Sequence, residues 1–189
     1  MPHIALPEGL PGMAACLAFR PETAKPLGEL AQILMQGPGT LARGERELIA
    51  TYVSSQNDCY FCQSSHGAIA AACLNDDEEL VRKVRQDFQH ADISAKLKAL
   101  LVIAGQVQKG VKHVTAAAVE GARRCGATDL EIHDTVLIAA LFCLCNRYVD
   151  GLATWQPRDD EMYRQRGKRV AREGYINASR QSLPQQAPA

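Results

Sequence analysis

Four chemically reactive side chains fall within twenty residues of this 189-residue chain: Glu47, Cys59, Cys62 and His66. Cys59 and Cys62 are three apart, which makes them neighbours on a helical turn and lets them close a small-ring disulfide with little backbone movement. His66 follows Cys62 by four, one turn along the same face, where an imidazole can share or remove a thiol proton. The thiolate is the nucleophilic form, and an ordinary thiol with a pKa of about 8.5 is only slightly ionised at neutral pH. Two features act to lower that value: the free amides of a helix beginning near Asp58, and the imidazole itself. Asp58, beside Cys59, acts the other way on that sulfur, so Cys62 is the expected reactive thiol and Cys59 its partner. Glu47 lies one helix upstream and reaches the same site if the two helices pack side by side, to orient His66 or accept its proton.

Each of these residues also has an ordinary use. Cys59, Cys62 and His66 supply three zinc ligands, one short of a structural tetrahedral site, unless Cys73, eleven after Cys62, adds the fourth. An isolated His66 reads as a hydrogen-bonded core residue, and an isolated Glu47 as an exposed carboxylate paired to Arg43 or Arg46. Cys143 and Cys145, two apart in an apolar run, point to different faces and read as packing residues. Cys16, Cys73 and Cys125 carry no partner motif, and His113 and His133 are expected in solvent.

The elements that must hold these groups are legible from period and punctuation. A helix is expected over 22–36, with Leu27, Leu30, Ala31 and Leu34 on one face, Pro26 acceptable only in the first turn, and Gly37-Pro38-Gly39 as its stop. A second spans 43–55 and ends in the polar run 54–58, expected to break the chain and supply a new N-cap. The third covers 59–74, with Ala68, Ile69, Ala71 and Ala72 as a close-packing face. Asp76 with Glu79 looks like a capping box for a helix to Phe88. Ser94 opens the next, striped by Leu97, Leu100, Leu101, Ala104 and Val107 and closed by Gly110. An Ala-rich helix over 115–125 precedes Gly126 as C-cap. Thr128 and Glu131 then box the start of a long helix running towards Asp150, so apolar over 136–145 that it must be buried centrally or in a subunit interface. Residues 158–173 are polar and charged, expected as an outer helix or arm, and the tail after Ala178 is expected to fray.

Composition narrows the class further. Lys plus Arg and Asp plus Glu are both 21, so no net field exists to recruit nucleic acid or anionic lipid. Hydrophobic residues are 47% but aromatics only 5%, with 28 Ala and 19 Leu, a balance that points to an all-α protein. The length suits about one domain, and seven cysteines cannot all pair within one chain. The first residues lack a basic n-region, and Pro7, Glu8 and Pro11 interrupt any signal-peptide core. The apolar run 136–145 is about half the roughly 20 residues a membrane span needs. A soluble cytoplasmic protein is expected, in a reducing compartment where clustered cysteines are more often catalytic or metal-binding than structural.

Glu47, the run Cys59-Tyr60-Phe61-Cys62 and His66, with Arg46-Glu47-Leu48-Ile49-Ala50 and Asn57-Asp58-Cys59 around them, resemble the signature of the AhpD-like alkylhydroperoxidases of the carboxymuconolactone decarboxylase superfamily. Ala139-Ala140-Leu141-Phe142, Asn146-Arg147 and Asp150 are similar to the closing helix of its peroxidase-related branch. The resemblance implies an AhpD-like helical bundle, trimeric or hexameric, that reduces organic hydroperoxides with no cofactor and no metal. Residue by residue, Cys62 matches the peroxidatic cysteine, Cys59 the resolving cysteine, His66 the proton-relay histidine and Glu47 the relay carboxylate. Phe61 departs from the pattern, since the better characterised members carry a histidine there. The implied partners are an organic hydroperoxide, an external dithiol reductant and further copies of the chain, with no nucleic acid and no membrane. The apolar run 136–145 is a separate reason to expect a buried subunit interface. The expected organisation is one domain over 1–189, with a core over 22–155, an N-terminal extension over 1–21, and a helical arm and tail over 156–189. Competing readings are a thiol–disulfide oxidoreductase or redox sensor, a zinc-binding structural module, and a decarboxylase like the superfamily members that lack the cysteine pair.

Overall fold

The computed structural model describes residues 1–110 and 112–180. Among the described residues the chain is all helical: α1 (Met13–Phe19), α2 (Pro21–Gln36), α3 (Arg43–Gln56), α4 (Tyr60–Cys73), α5 (Glu78–Asp87), a 3₁₀ turn (Phe88–His90), α6 (Ala95–Lys109), α7 (Ala116–Arg124), α8 (Asp129–Gly151) and α9 (Asp160–Arg180). From position 181 onward, the tail expected to fray lies outside the described residues.

Most helix starts are set by side chains that take up the free amides of the first turn. Ser94 Oγ accepts from the Leu97 N–H at 3.1 Å, and Thr115 Oγ1 from the Ala118 N–H at 3.1 Å. At α8 the box is reciprocal: Glu131 N–H donates to Thr128 Oγ1 at 3.2 Å, and Thr128 N–H to Glu131 Oε2 at 2.8 Å. Several starts differ from expectation. Asp77, not Asp76, caps α5, its Oδ1 accepting from the Leu80 N–H at 2.8 Å; Asn75 and Asp76, at φ 60° and 62°, form the left-handed turn before it. Pro26 sits in the second turn of α2 rather than the first, because Pro21 already opens the helix. The N-terminal extension contains α1, whose Ala15 and Cys16 are buried.

α3 is the centre of the bundle, packed against α4, α6 and α8. Its Leu48, Ile49, Ala50 and Val53 are buried with Leu97, Leu100, Leu101 and Ile103 of α6 and with Ile138, Ala139, Leu141 and Phe142 of α8. Arg46 is buried here and serves the backbone: Nε donates to the Leu41 carbonyl at 2.9 Å, and Nη1 to those of Leu34 at 3.2 Å and Gly37 at 2.7 Å, tying the end of α2 to α3. α8 meets the length and mean hydropathy of a membrane-crossing helix by composition alone, with 44% of its most apolar window buried. Its inner face packs in the core, while Leu144 remains 47% exposed.

The stretch expected as an outer helix or arm is a helix, but it packs inward. α9 lies along α4, where Gly167 comes so close that a Cβ would fall 2.6 Å from the Ala68 carbonyl carbon. At Gly174, φ 78° breaks the helical course, a conformation glycine adopts without steric cost. The break brings Tyr175 over the face of α4.

Candidate active site

The turn between α3 and α4 places both thiols at the start of a helix. Asn57 ends α3, Asp58 takes φ 54°, and Cys59 rather than a residue of the polar run is the N-cap of α4. Cys62 is thus the third residue of α4, and both cysteines are buried. The turn is pinned to α8. Asn57 Nδ2 donates to Asn146 Oδ1 at 2.8 Å, and Asn146 Nδ2 to Ser54 Oγ at 3.0 Å. At the next amide, Phe61 N–H donates to Gln156 Oε1 at 3.0 Å, and Gln156 Nε2 donates to Asp150 Oδ1 at 2.6 Å. Asp150 and Gln156 therefore hold the first turn of α4.

The two sulfurs are not equivalent. The Cys59 thiol is pushed far above the ordinary thiol range, first by its hydrogen bond with the Cys62 side chain, then by burial, the Cys62 charge and the Asp150 carboxylate. The direction agrees with the sequence argument, but the causes are Cys62 first, then burial, with a smaller part from Asp150 and none from Asp58. Cys59 therefore keeps its proton.

Helices α3 and α4 bring Glu47 against His66. Glu47 is fully buried, with neither Arg43 nor Arg46 as a partner, since Arg43 Nη2 donates to the Ala171 carbonyl at 2.7 Å. Instead Glu47 Oε2 lies 2.8 Å from His66 Nδ1, which assigns the proton to Nδ1 and leaves Nε2 as the basic nitrogen. The other carboxylate oxygen, Oε1, accepts from the Tyr175 hydroxyl at 2.6 Å, and that hydroxyl is 3.1 Å from His66 Nδ1. The imidazole is clamped edge-on to Phe142, with centroids 4.4 Å apart, and stacked on Tyr175 at 5.9 Å. Burial, then the charge and hydrogen bond of Glu47, push the Tyr175 pKa well up, so Tyr175 stays a neutral donor. Among the described residues no hydrogen bond joins His66 to either sulfur; the structure forms a thiol pair and a separate Glu47–His66–Tyr175 network one turn further along α4.

The remaining cysteines lie elsewhere. Cys73 packs with Ile69, Val170 and Tyr175, its pKa raised by burial and then by Glu47. Cys143 Sγ accepts from Asn57 Nδ2 at 3.5 Å, and burial pushes the Cys145 thiol up to about 12. Among the described residues no three His, Cys, Asp or Glu groups are placed to hold a metal ion.

Sequence reasoning missed Tyr175, Asp150 and Gln156 as members of the site. Asp150 was visible in the motif near the end of α8, while Gln156 and Tyr175 lie beyond it with no local pattern.

Residues 21–87 match the model of the carboxymuconolactone decarboxylase family. No curated protein matches the chain. Among solved structures, an uncharacterized peroxidase-related protein from Ralstonia eutropha JMP134, described as an alkylhydroperoxidase AhpD core, is 29% identical with a TM-score of 0.74, over 84% of this chain and 82% of that one. An uncharacterized peroxidase-related protein from Silicibacter sp. TM1040 is 27% identical with a TM-score of 0.73, over 82% and 78%. The debrominase Bmp8, solved as an alanine variant with 2,3,4-tribromopyrrole, shares the fold at 17% identity and a TM-score of 0.68, over 84% and 83%.

Proposed function

We propose that the chain, which is similar to the carboxymuconolactone decarboxylase family and to AhpD-like peroxidase-related proteins, is an AhpD-like thiol peroxidase reducing organic hydroperoxides. One observation carries the reading: a fully buried carboxylate, Glu47, held 2.8 Å from the imidazole of His66 one turn beyond the Cys59–Cys62 pair. In the proposed cycle the Cys62 thiolate attacks the terminal, hydrogen-bearing oxygen of the hydroperoxide. The O–O bond breaks, Cys62 becomes a sulfenic acid, and the alkoxide leaves as the alcohol after taking a proton. Cys59 then attacks the sulfenic sulfur, water departs, and a Cys59–Cys62 disulfide remains for an external dithiol to reduce. Glu47 and Tyr175 fix the tautomer of His66, whose Nε2 manages the protons. The direction of the Cys59 shift supports this order of the two sulfurs.

A thiol cycle of this kind needs a reducing compartment, so we place the protein in the cytoplasm. Phe61 favours a second reading. Its ring packs on Tyr163 at 6.1 Å and offers no proton between the cysteines, which suits a thiol–disulfide oxidoreductase with little peroxide turnover.

Thiol titration before and after one equivalent of an organic hydroperoxide tests the first reading. Loss of two thiols, abolished by Cys62→Ser, is expected. Retained hydroperoxide consumption in Cys62→Ser refutes the peroxidase assignment, while disulfide formation with a dithiol partner but no faster peroxide reaction than a free thiol selects the second.

A further inference from the structure

On α9, Arg166 presents a partly buried guanidinium to which no carboxylate among the described residues is paired. Arg166 Nε is buried and meets no hydrogen-bond acceptor, and among the described residues no carboxylate forms an ion pair with its guanidinium. Withdrawing such a group from water is costly unless an anion accompanies it. The guanidinium is not sealed in a core. It lines a cleft of about 350 Å³ together with Leu10, Pro11, Phe61, Met162 and Arg169, a volume within the range of about 300–1,000 Å³ of small-molecule sites. One side is apolar and the α9 side is cationic.

Two observations connect this cleft to the thiol pair. Phe61 precedes Cys62, and Phe61 and Met162 pack in the same apolar cluster as Cys59 and Cys62. Burial lowers the Arg166 pKa, and the charges of Tyr175, Tyr163 and, least, Cys62 raise it against that of Arg169; in space, Phe61 links the guanidinium's cleft to the sulfur beside it. The outer wall is fitted to the ring of Phe61: Gly12 has φ 51°, and a Cβ there would overlap the ring. The Gly12 N–H is held by the Trp155 carbonyl at 2.9 Å.

We propose that the cleft is an anion subsite and that the hydroperoxide taken by Cys62 carries a carboxylate, held by Arg166, with its hydrocarbon body on Leu10, Phe61 and Met162. The substrate class rests on the peroxidase reading; the binding of an apolar carboxylate does not. The carboxylate takes no part in the redox step and leaves with the alcohol product.

The test has two arms on the full chain. In the first, kcat/KM is measured for the hydroperoxide of linoleic acid and for its methyl ester, with wild type, Arg166→Met and Arg166→Lys. Wild type is expected to prefer the acid by about tenfold, the size of a charge-assisted contact. The acid-to-ester ratio falls towards one in Arg166→Met and is partly restored in Arg166→Lys. No acid preference in wild type, or an equal loss on both substrates in Arg166→Met, overturns the proposal, the latter leaving Arg166 as a partner of the thiolate or of the fold.

In the second arm, unreactive octanoate and octanamide are titrated into the reduced protein by calorimetry. Octanoate is expected to bind about tenfold tighter than octanamide in wild type and to lose that advantage in Arg166→Met. If neither hydroperoxide is consumed but this pattern holds, the peroxidase reading fails and the anion subsite stands. Equal binding of the two probes refutes the subsite.

Discussion

Replacing Tyr175 by Phe removes a single oxygen atom and leaves the ring stacked on His66. The lost contact is a 2.6 Å hydrogen bond to Glu47, whose side chain is 0% exposed. Hydrogen bonds to charged groups contribute about 1.5–3 kcal/mol. The carboxylate itself is sealed from solvent, so the upper half of that range applies, about 2–3 kcal/mol. Against a domain stability of about 5–15 kcal/mol, that loss moves a urea midpoint by about 1 M for a slope near 2.5 kcal/mol/M. The second readout is the rate at which a hydroperoxide oxidises Cys62 in the folded variant. If Glu47 acts through His66 and Tyr175 positions both, the rate falls about tenfold or more, at 1.4 kcal/mol per decade, and its pH profile is displaced. A purely structural hydroxyl lowers the midpoint and leaves the pH profile in place. Wild-type midpoint and wild-type rate together refute the reasoning, because the hydroxyl then holds no buried charge.

Three further outcomes are expected. Burial alone would raise the Glu131 carboxyl, but the Lys96 ammonium at 2.6 Å, the Thr128 N–H and the Thr40 hydroxyl bring it down to about 2. The folded value lies below the unfolded one of about 4.3, so the stabilisation, about 3 kcal/mol, is present above pH of about 4.3 and lost as pH falls towards 2. Lys96→Met should lower the unfolding midpoint at pH 7 and converge with wild type near pH 2. Equal deficits at both pH values would contradict this. Gly167→Ala places a Cβ against the Ala68 backbone and should cost about 1–3 kcal/mol through overpacking between α9 and α4, read as a lower thermal midpoint; an unchanged midpoint counts against so close an approach. Leu144→Arg, on the outward face of α8, should shift the chain towards a 20.6 kDa species in sedimentation velocity if that face joins copies, and an unchanged sedimentation coefficient excludes it.

Local chemistry explains which parts of this architecture were legible in the sequence. Ser94, Thr115 and the Thr128–Glu131 box act within one turn of their own chain, so type and spacing sufficed. Glu47 and His66 were readable because consecutive helices that pack side by side must bring their facing turns together. Asp77 displaced Asp76 because two left-handed residues precede α5, and nothing in residue type separates those two aspartates. The shift of Cys59 was anticipated in direction, but its causes are the hydrogen bond with Cys62 first, then burial, and last Asp150 from the far end of α8. Tyr175 was hidden for two reasons: its partner is 128 residues away, and the charged run before it has the composition of a solvated arm. Only the approach of Gly167 to Ala68 and the bend at Gly174 turn that arm inward.

The position of Tyr175 on the last described helix also sets an order of assembly. Domains acquire structure from the N-terminal end as they are synthesised. Glu47, both thiols and His66 are all made before α9, and can meet while the chain is still growing. The carboxylate then has the imidazole for company but not the phenol. A nascent chain with α1 to α8 formed would thus hold its sulfurs beside an incomplete proton network, exposed along α4 where α9 has yet to dock. Docking of α9 becomes the event that closes the site, and the thiols are covered only once that helix has been made.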